Sequence, residues 1–319
     1  MTTPPQRPTT GSHSTTGSHQ TTGSHHVPPI PPHLDPWVAE LVRTGRRGRR
    51  IRGGRRVTKD DAAIALLAAP ISSPRRMAVI GLKGGTGKTT LAVAMARTYA
   101  RARGENVLLF DADTRHGSLP LRTGVLPVAS AHDLAVTGDP GRVEILAGSL
   151  GRSPEGVWVL PSGRTAAQSA EMDERVYTGA MNAVYRHFPI MITDCGAGVA
   201  TPLMQRVLSG THALVLATTA TADGVLTTEG ALDWLARNGY ADLVRRSIVV
   251  LTNVTPKGPG LSLEDARRRF ASSCAAVFAI PADRHLAVGS HLDLDALAPA
   301  TRAAFAALAG AVLGSALSG

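Results

Sequence analysis

Residues 77–90 read MAVIGLKGGTGKTT. Met77–Leu82 is an apolar run without polar alternation, the pattern of a strand covered on both faces. A glycine-rich turn follows, and the sequence then becomes helical from Lys88 to Arg103, with Gly104 as its stop. Strand, glycine loop and helix start together form the context of a phosphate-binding loop. Gly84, Gly85 and Gly87 let backbone N–H groups turn inward as an anion nest. The helix N-terminus adds partial positive charge. Lys88 is placed to reach β- and γ-phosphates, Thr89 to ligate Mg²⁺, and Thr90 to meet the α-phosphate. Thr86 completes the loop.

Outward from this loop, apolar runs and helical stretches alternate. Strands are predicted at Asn106–Phe110, Val157–Leu160, Pro189–Thr193, Ala213–Ala217, Ser247–Leu251 and Val277–Ile280. Helices are predicted at Gln168–His187, Gly224–Asn238, Leu263–Cys274 and Pro299–Leu317. Such alternation predicts an α/β fold, a doubly wound and mainly parallel sheet of the P-loop NTPase kind. Residues 117–153 carry no clear pattern.

Two acidic motifs fall at strand ends, which in such sheets face the ligand crevice. LLFDADTRHGSL carries Asp111 and Asp113 after the second strand. PIMITDCGAG ends a short apolar strand in Asp194, the Walker B arrangement, where the carboxylate holds a water on Mg²⁺. Solvated loop carboxylates are the plain alternative for Asp111 and Asp113. Cys195 reads as a packing cysteine or as a redox-sensitive thiol, and the neighbouring Asp194 disfavours its thiolate.

The loop departs from the general P-loop pattern at Leu82, and Lys83–Thr89 spells KGGTGKT. This resembles the deviant Walker A motif of the MinD/ParA family of ATPases. The resemblance implies an ATP-dependent homodimer in which Lys83 reaches the partner's phosphates. It also implies that Asp113 orients the attacking water, that Asp111 sits nearer the metal, and that ATP and Mg²⁺ are the cofactors. Lysine is scarce, four against thirty arginines, so two in one loop are informative; an incidental surface lysine is the plain alternative for Lys83. In the family, adenine is held by residues matching Asn253 of VVLTNVTP and Pro281 of AIPADRHLA. For Asn253 a local Asx-turn is the competing explanation.

Further stretches narrow the resemblance. SPRRMAVIGLKGGTGKTT, DCGAG, LDWLARNGYADLV and IPADRHLAVGSHLDLDAL are together similar to the EspI-like branch of ATPases associated with type VII (ESX) secretion in actinobacteria. A secretion-system component is the partner this implies, with slow hydrolysis stimulated by that partner. A Tyr-rich tail of the superfamily's tyrosine kinases is absent, since the chain has four tyrosines.

The N-terminal part differs in kind. Residues 1–76 carry a net charge of +8, against +2 for the remaining 243. TTGSH occurs three times between residues 9 and 25, too polar to bury a face. Residues 27–36 are Pro-dense, and Arg43–Arg56 holds eight arginines among four glycines. The expectation is a disordered basic arm over 1–57, a short helix and linker over 58–76, and an ATPase domain over 77–319. The arm would suit nonspecific DNA or another acidic partner, as in a ParA-like partitioning or positioning ATPase, or be merely solvated. An adaptor that binds nucleotide without hydrolysis is a third reading, which the presence of Asp113 disfavours.

Cys195 and Cys274 lack metal-ligand spacing and give no disulfide framework. No apolar h-region opens the chain, and no uncharged apolar run reaches the ~20 residues of a membrane span, Ala303–Ser318 being the nearest. That segment also lacks the basic residues of a membrane-gripping helix. These features predict a cytoplasmic protein without a transmembrane segment.

Overall fold

The computed structural model describes residues 59–115, 117–254 and 262–319. Eight strands form one sheet: β1 (Arg75–Gly81), β2 (Val107–Ala112), β3 (Gly151–Arg152), β4 (Val157–Leu160), β5 (Ile190–Ala197), β6 (Ala213–Thr219), β7 (Ile248–Val254) and β8 (Ala276–Pro281). Their order is β3-β4-β2-β5-β1-β6-β7-β8. All neighbours are parallel except the short edge strand β3, antiparallel to β4. The doubly wound, mainly parallel α/β sheet expected from the sequence is present.

The principal helices are α1 (Lys59–Ala65), α2 (Lys88–Arg103), α3 (Leu119–Thr123), α4 (Glu174–Val184), α5 (Pro202–Ser209), α6 (Ala222–Leu235), α7 (Leu263–Phe270) and α8 (Pro299–Leu317). Strand side chains divide between two cores with a period of two. Met77, Val79, Val107 and Leu109 face the layer of α2 and α8. Ala78, Ile80, Leu108 and Phe110 face the layer that includes α4 to α7.

Helix α2 spans the expected residues and ends at Gly104 in the left-handed region (φ 64°), whose N–H donates to Ala100 O. The single helix expected over 168–187 is instead broken. A short helix, Ala166–Ala170, stops before Met172, which is buried. Asp173 then caps α4 by accepting from the N–H groups of Arg175 and Val176. A local cap outweighs the continuous apolar period. The unpatterned stretch 117–153 holds α3, two helices at Ala131–Thr137 and Val143–Leu146, and strand β3.

Within the stretch expected to be helix and linker, 58–76, the described residues contribute to the core. Ala63, Ile64 and Leu67 are buried with α8. Arg103 Nη1 donates to the carbonyls of Leu67 (2.7 Å) and Ala69 (2.8 Å), fastening this segment to the end of α2. Strand β1 begins at Arg75, inside the expected linker. The arm over 1–57 lies outside the described residues.

Helix α8, at 19 residues, is the one described helix long and apolar enough to cross a membrane. It differs from the uncharged run counted in the sequence because its first turns take in Pro299 and Arg302. Phe305, Leu308, Val312 and Leu313 are fully buried, as in a helix packed on a sheet.

Candidate functional site

The site lies at the C-terminal ends of β1, β2 and β5, in the centre of the sheet. Strand β1 feeds directly into the glycine loop, and α2 leaves it. Gly85 (φ 74°) and Gly87 (φ 84°) both occupy the left-handed region that favours glycine. Gly87 is the N-cap of α2, so its conformation sets the direction in which the helix N–H groups point. Thr252, from the end of β7, braces the loop from below. Its hydroxyl lies 3.0 Å from Thr86 O and 3.2 Å from Thr218 O.

A cavity of about 380 Å³ opens above the loop. Gly84, Gly85, Gly87, Lys88, Thr89 and Thr90 line it from the loop side. Asp113, Arg115, Gly117, Ser118 and Arg122 line it from the chain after β2, and Asp194 from β5. Lys88 is largely buried for a lysine, at 8 % exposure. Thr86 does not line the cavity. Its hydroxyl turns inward and donates to Lys83 O at 3.3 Å.

Two carboxylates stand side by side at the back. Asp111 and Asp194 are register partners on the adjacent parallel strands β2 and β5, and both are almost fully buried. Asp111 Oδ1 accepts the Asp113 N–H at 2.9 Å, while Asp111 Oδ2 and Asp194 Oδ1 have no hydrogen-bond partner among the described residues. Burial pushes the Asp194 carboxyl up to about 7, against a hydrogen bond from Thr89 and the charge of Lys88. Burial, and then the charge of Asp194, push Asp111 well above the carboxylate range. Like charges so placed call for a cation.

The backbone closes tightly over this pair. A Cβ on Gly117 would stand 1.8 Å from Asp111 Oδ2. Asp113 lies further out. Its Oδ1 accepts the Arg115 N–H at 3.0 Å and stands 3.8 Å from Arg115 Nε. Gly196, near the end of β5, faces it: a Cβ there would be 3.3 Å from Asp113 Oδ1. Cys195 is fully buried, and burial with the Asp194 charge pushes its thiol far up. That environment suits a packing cysteine.

Lys83 points elsewhere. It is half exposed, is not among the cavity residues, and its ammonium pairs with Asp223 on the first turn of α6. Asn253 and Pro281 close β7 and β8 on the far side of β6 from the carboxylates; Pro281 does not line the cavity, and the Asn253 side chain lies outside the described residues. Asp283, two residues after Pro281, caps the short helix Arg284–Val288, and its Oδ2 accepts the Ala298 N–H at 2.9 Å.

Sequence reasoning missed Gly117, Ser118, Arg122 and Thr252. The first three lie in a stretch without periodicity, and Thr252 acts by a contact 166 residues away in the chain.

Residues 77–287 match the sequence profile of the CobQ/CobB/MinD/ParA nucleotide-binding domain. The chain belongs to this family. It is 32% identical over 226 residues to the ESX-1 secretion-associated protein EspI of Mycobacterium tuberculosis. That match covers 70% of this chain and 34% of EspI, so the chain spans about a third of that relative. Among solved structures, the cell division ATPase MinD of Pyrococcus furiosus superposes with a TM-score of 0.59 at 24% identity, covering 75% of this chain and 98% of MinD. The septum site-determining protein MinD of Pyrococcus horikoshii, solved with Mg-ADP, gives 0.58 at 22%, covering 74% and 94%. At these identities the structures establish the shared fold. The resemblance to MinD/ParA ATPases and to the EspI-like branch read from the sequence is therefore found.

Proposed function

We propose that this family member is a Mg²⁺-dependent ATPase that works as an ATP-driven dimerisation switch, in the cytoplasm, in association with a type VII secretion system. The observation that carries the enzymatic part is the buried Asp111–Asp194 pair, with an unpartnered oxygen on each carboxylate, directly beside Lys88 and Thr89.

These residues fit Mg²⁺. Among the described residues no group of three or more His, Cys, Asp or Glu side chains could by itself hold a metal. Mg²⁺ does not need one, because it keeps several waters and uses one or two carboxylates together with substrate phosphates. Thr89, Asp111 and Asp194 would hold the ion and its waters. When bound, it supplies positive charge against the phosphate oxygens.

The remaining roles follow from position. Gly84, Gly85, Thr86 and Gly87 shape the N–H cradle, Lys88 neutralises β- and γ-phosphate charge, and Thr90 meets the α-phosphate. Asp113, at the cavity edge and held by the Arg115 N–H, orients the water for in-line attack. Asn253 and Pro281, at neighbouring strand ends, serve the base. Lys83 acts in trans, a reading supported by its absence from its own cavity. The secretion role is supported by the likeness to EspI.

Steady-state phosphate release tests the enzymatic reading. Wild type should hydrolyse ATP slowly, Asp113→Ala should lose at least ten-fold while still binding ATP, and Lys88→Ala should lose binding. Full activity in Lys88→Ala would overturn it.

A further inference from the structure

One cation of the cavity has no side-chain partner among the described residues. Lys88 belongs to the phosphate loop, and Arg115 is committed to Asp113. Arg122, on α3, lines the same cavity, yet among the described residues its side chain makes no hydrogen bond and no ion pair. Its guanidinium is partly buried, and burial lowers its pKa with no carboxylate acting against it. A guanidinium removed from water without an acceptor is unfavourable unless a ligand supplies one.

The fold nevertheless holds the backbone around Arg122 in place, from α2 and from Leu292. Arg97, at 2 % exposure, lies in the middle of that helix. Its Nη2 donates to Thr123 O at 2.8 Å and stands 2.8 Å from His291 Nε2, while Nη1 pairs with Glu155 at 3.2 Å. The Leu292 N–H donates to Arg122 O at 2.9 Å. Two consecutive carbonyls of α3 are thus gripped, one of them by the helix whose first turn carries Lys88 and Thr89. The Arg122 side chain extends to the Gly289 loop, where a Cβ would lie 3.7 Å from its Nη2. It pairs with none of Asp111, Asp113 and Asp194.

We propose that Arg122 is a phosphate-binding residue of this site, contacting the phosphates that ADP and ATP share, and that Arg97 is its positioning residue. The assignment rests on the nucleotide-site reading above. Its geometry argues for the shared phosphates. The water-orienting end is occupied by Asp113 and Arg115, whereas the Arg122 guanidinium lies toward Gly289, which ends the short helix after β8.

The test is titration of the full chain with fluorescent N-methylanthraniloyl ADP and ATP in the presence of Mg²⁺. Arg122→Gln should weaken both by about ten-fold, the scale of one lost charge-assisted hydrogen bond, with the ligand-free melting temperature not lowered. Arg122→Lys should recover part of the loss. Arg97→Met should weaken binding in the wild-type background and add nothing in the Arg122→Gln background, which a merely structural loss would not do. Unchanged binding of both nucleotides by Arg122→Gln overturns the assignment, as does a loss confined to ATP, which would move the residue to the terminal phosphate. A wild-type chain that binds neither nucleotide overturns the site reading itself.

Discussion

Asp194 is ionisable and fully buried, and the Thr89 hydrogen bond and the Lys88 charge do not offset that burial, so its charge is a burden on the ligand-free protein. Its folded carboxyl titrates near 7 against an ordinary 3.8, so the native state binds the proton more tightly than the unfolded one. Stability therefore falls as pH rises from about 4, and the full penalty is present above about 7. Asp194→Asn should stabilise the ligand-free chain by roughly 1–3 kcal/mol at pH 8 and leave it unchanged at pH 4. The same variant should lose the Mg²⁺-dependent part of nucleotide binding. Denaturant melts at the two pH values check the first, and titrations with and without EDTA the second. Gly117→Ala makes a separate point: its Cβ would meet Asp111 Oδ2 at 1.8 Å, so the loop must lift. ATP binding should weaken several-fold, read by the same titration. At this scale the sequence was legible wherever chemistry was packed into consecutive residues. Lys88, Thr89, Asp113 and Asp194 could be named because strand ends aim them together. Arg122 could not, because it lies on a five-residue helix in a stretch without periodicity.

The helices and strands show the same division. Strands near the middle of the sheet were legible because both of their faces are buried, leaving runs such as Ala213–Ala217 with no polar residue. Residues 117–153 were not, since helices of four to seven residues are too short to display a periodic face. The break at Met172–Asp173 also follows local rules: Asp173→Ala should cost about 1 kcal/mol through the lost cap of α4, measurable by chemical denaturation. At the other side of the molecule, α1 and the turn after it rest on two glycines of α8. A Cβ at Gly310 would lie 1.8 Å from Ala63 O, and one at Gly314 would lie 2.5 Å from Leu66 Cδ1. Gly310→Val should displace α1 and lower stability by about 1–3 kcal/mol. Faster proteolysis between residues 59 and 74 would locate the damage there.

For the molecule as a whole, the central claim is that nucleotide decides whether one copy or two are present. Lys83 stands outside its own cavity, tied to Asp223, while the cavity already holds Lys88, Arg115 and Arg122. A second copy facing the cavity would bring another Lys83 to the terminal phosphate, and ATP would hold the two together. The most direct measurement is the molar mass by light scattering during size-exclusion chromatography, in ligand-free, ADP–Mg²⁺ and ATP–Mg²⁺ states, with Asp113→Ala used to block hydrolysis. The account predicts a dimer of the Asp113→Ala chain with ATP only, and its loss when Lys83→Ala is added. A monomer in every state, or a dimer indifferent to Lys83, would contradict it.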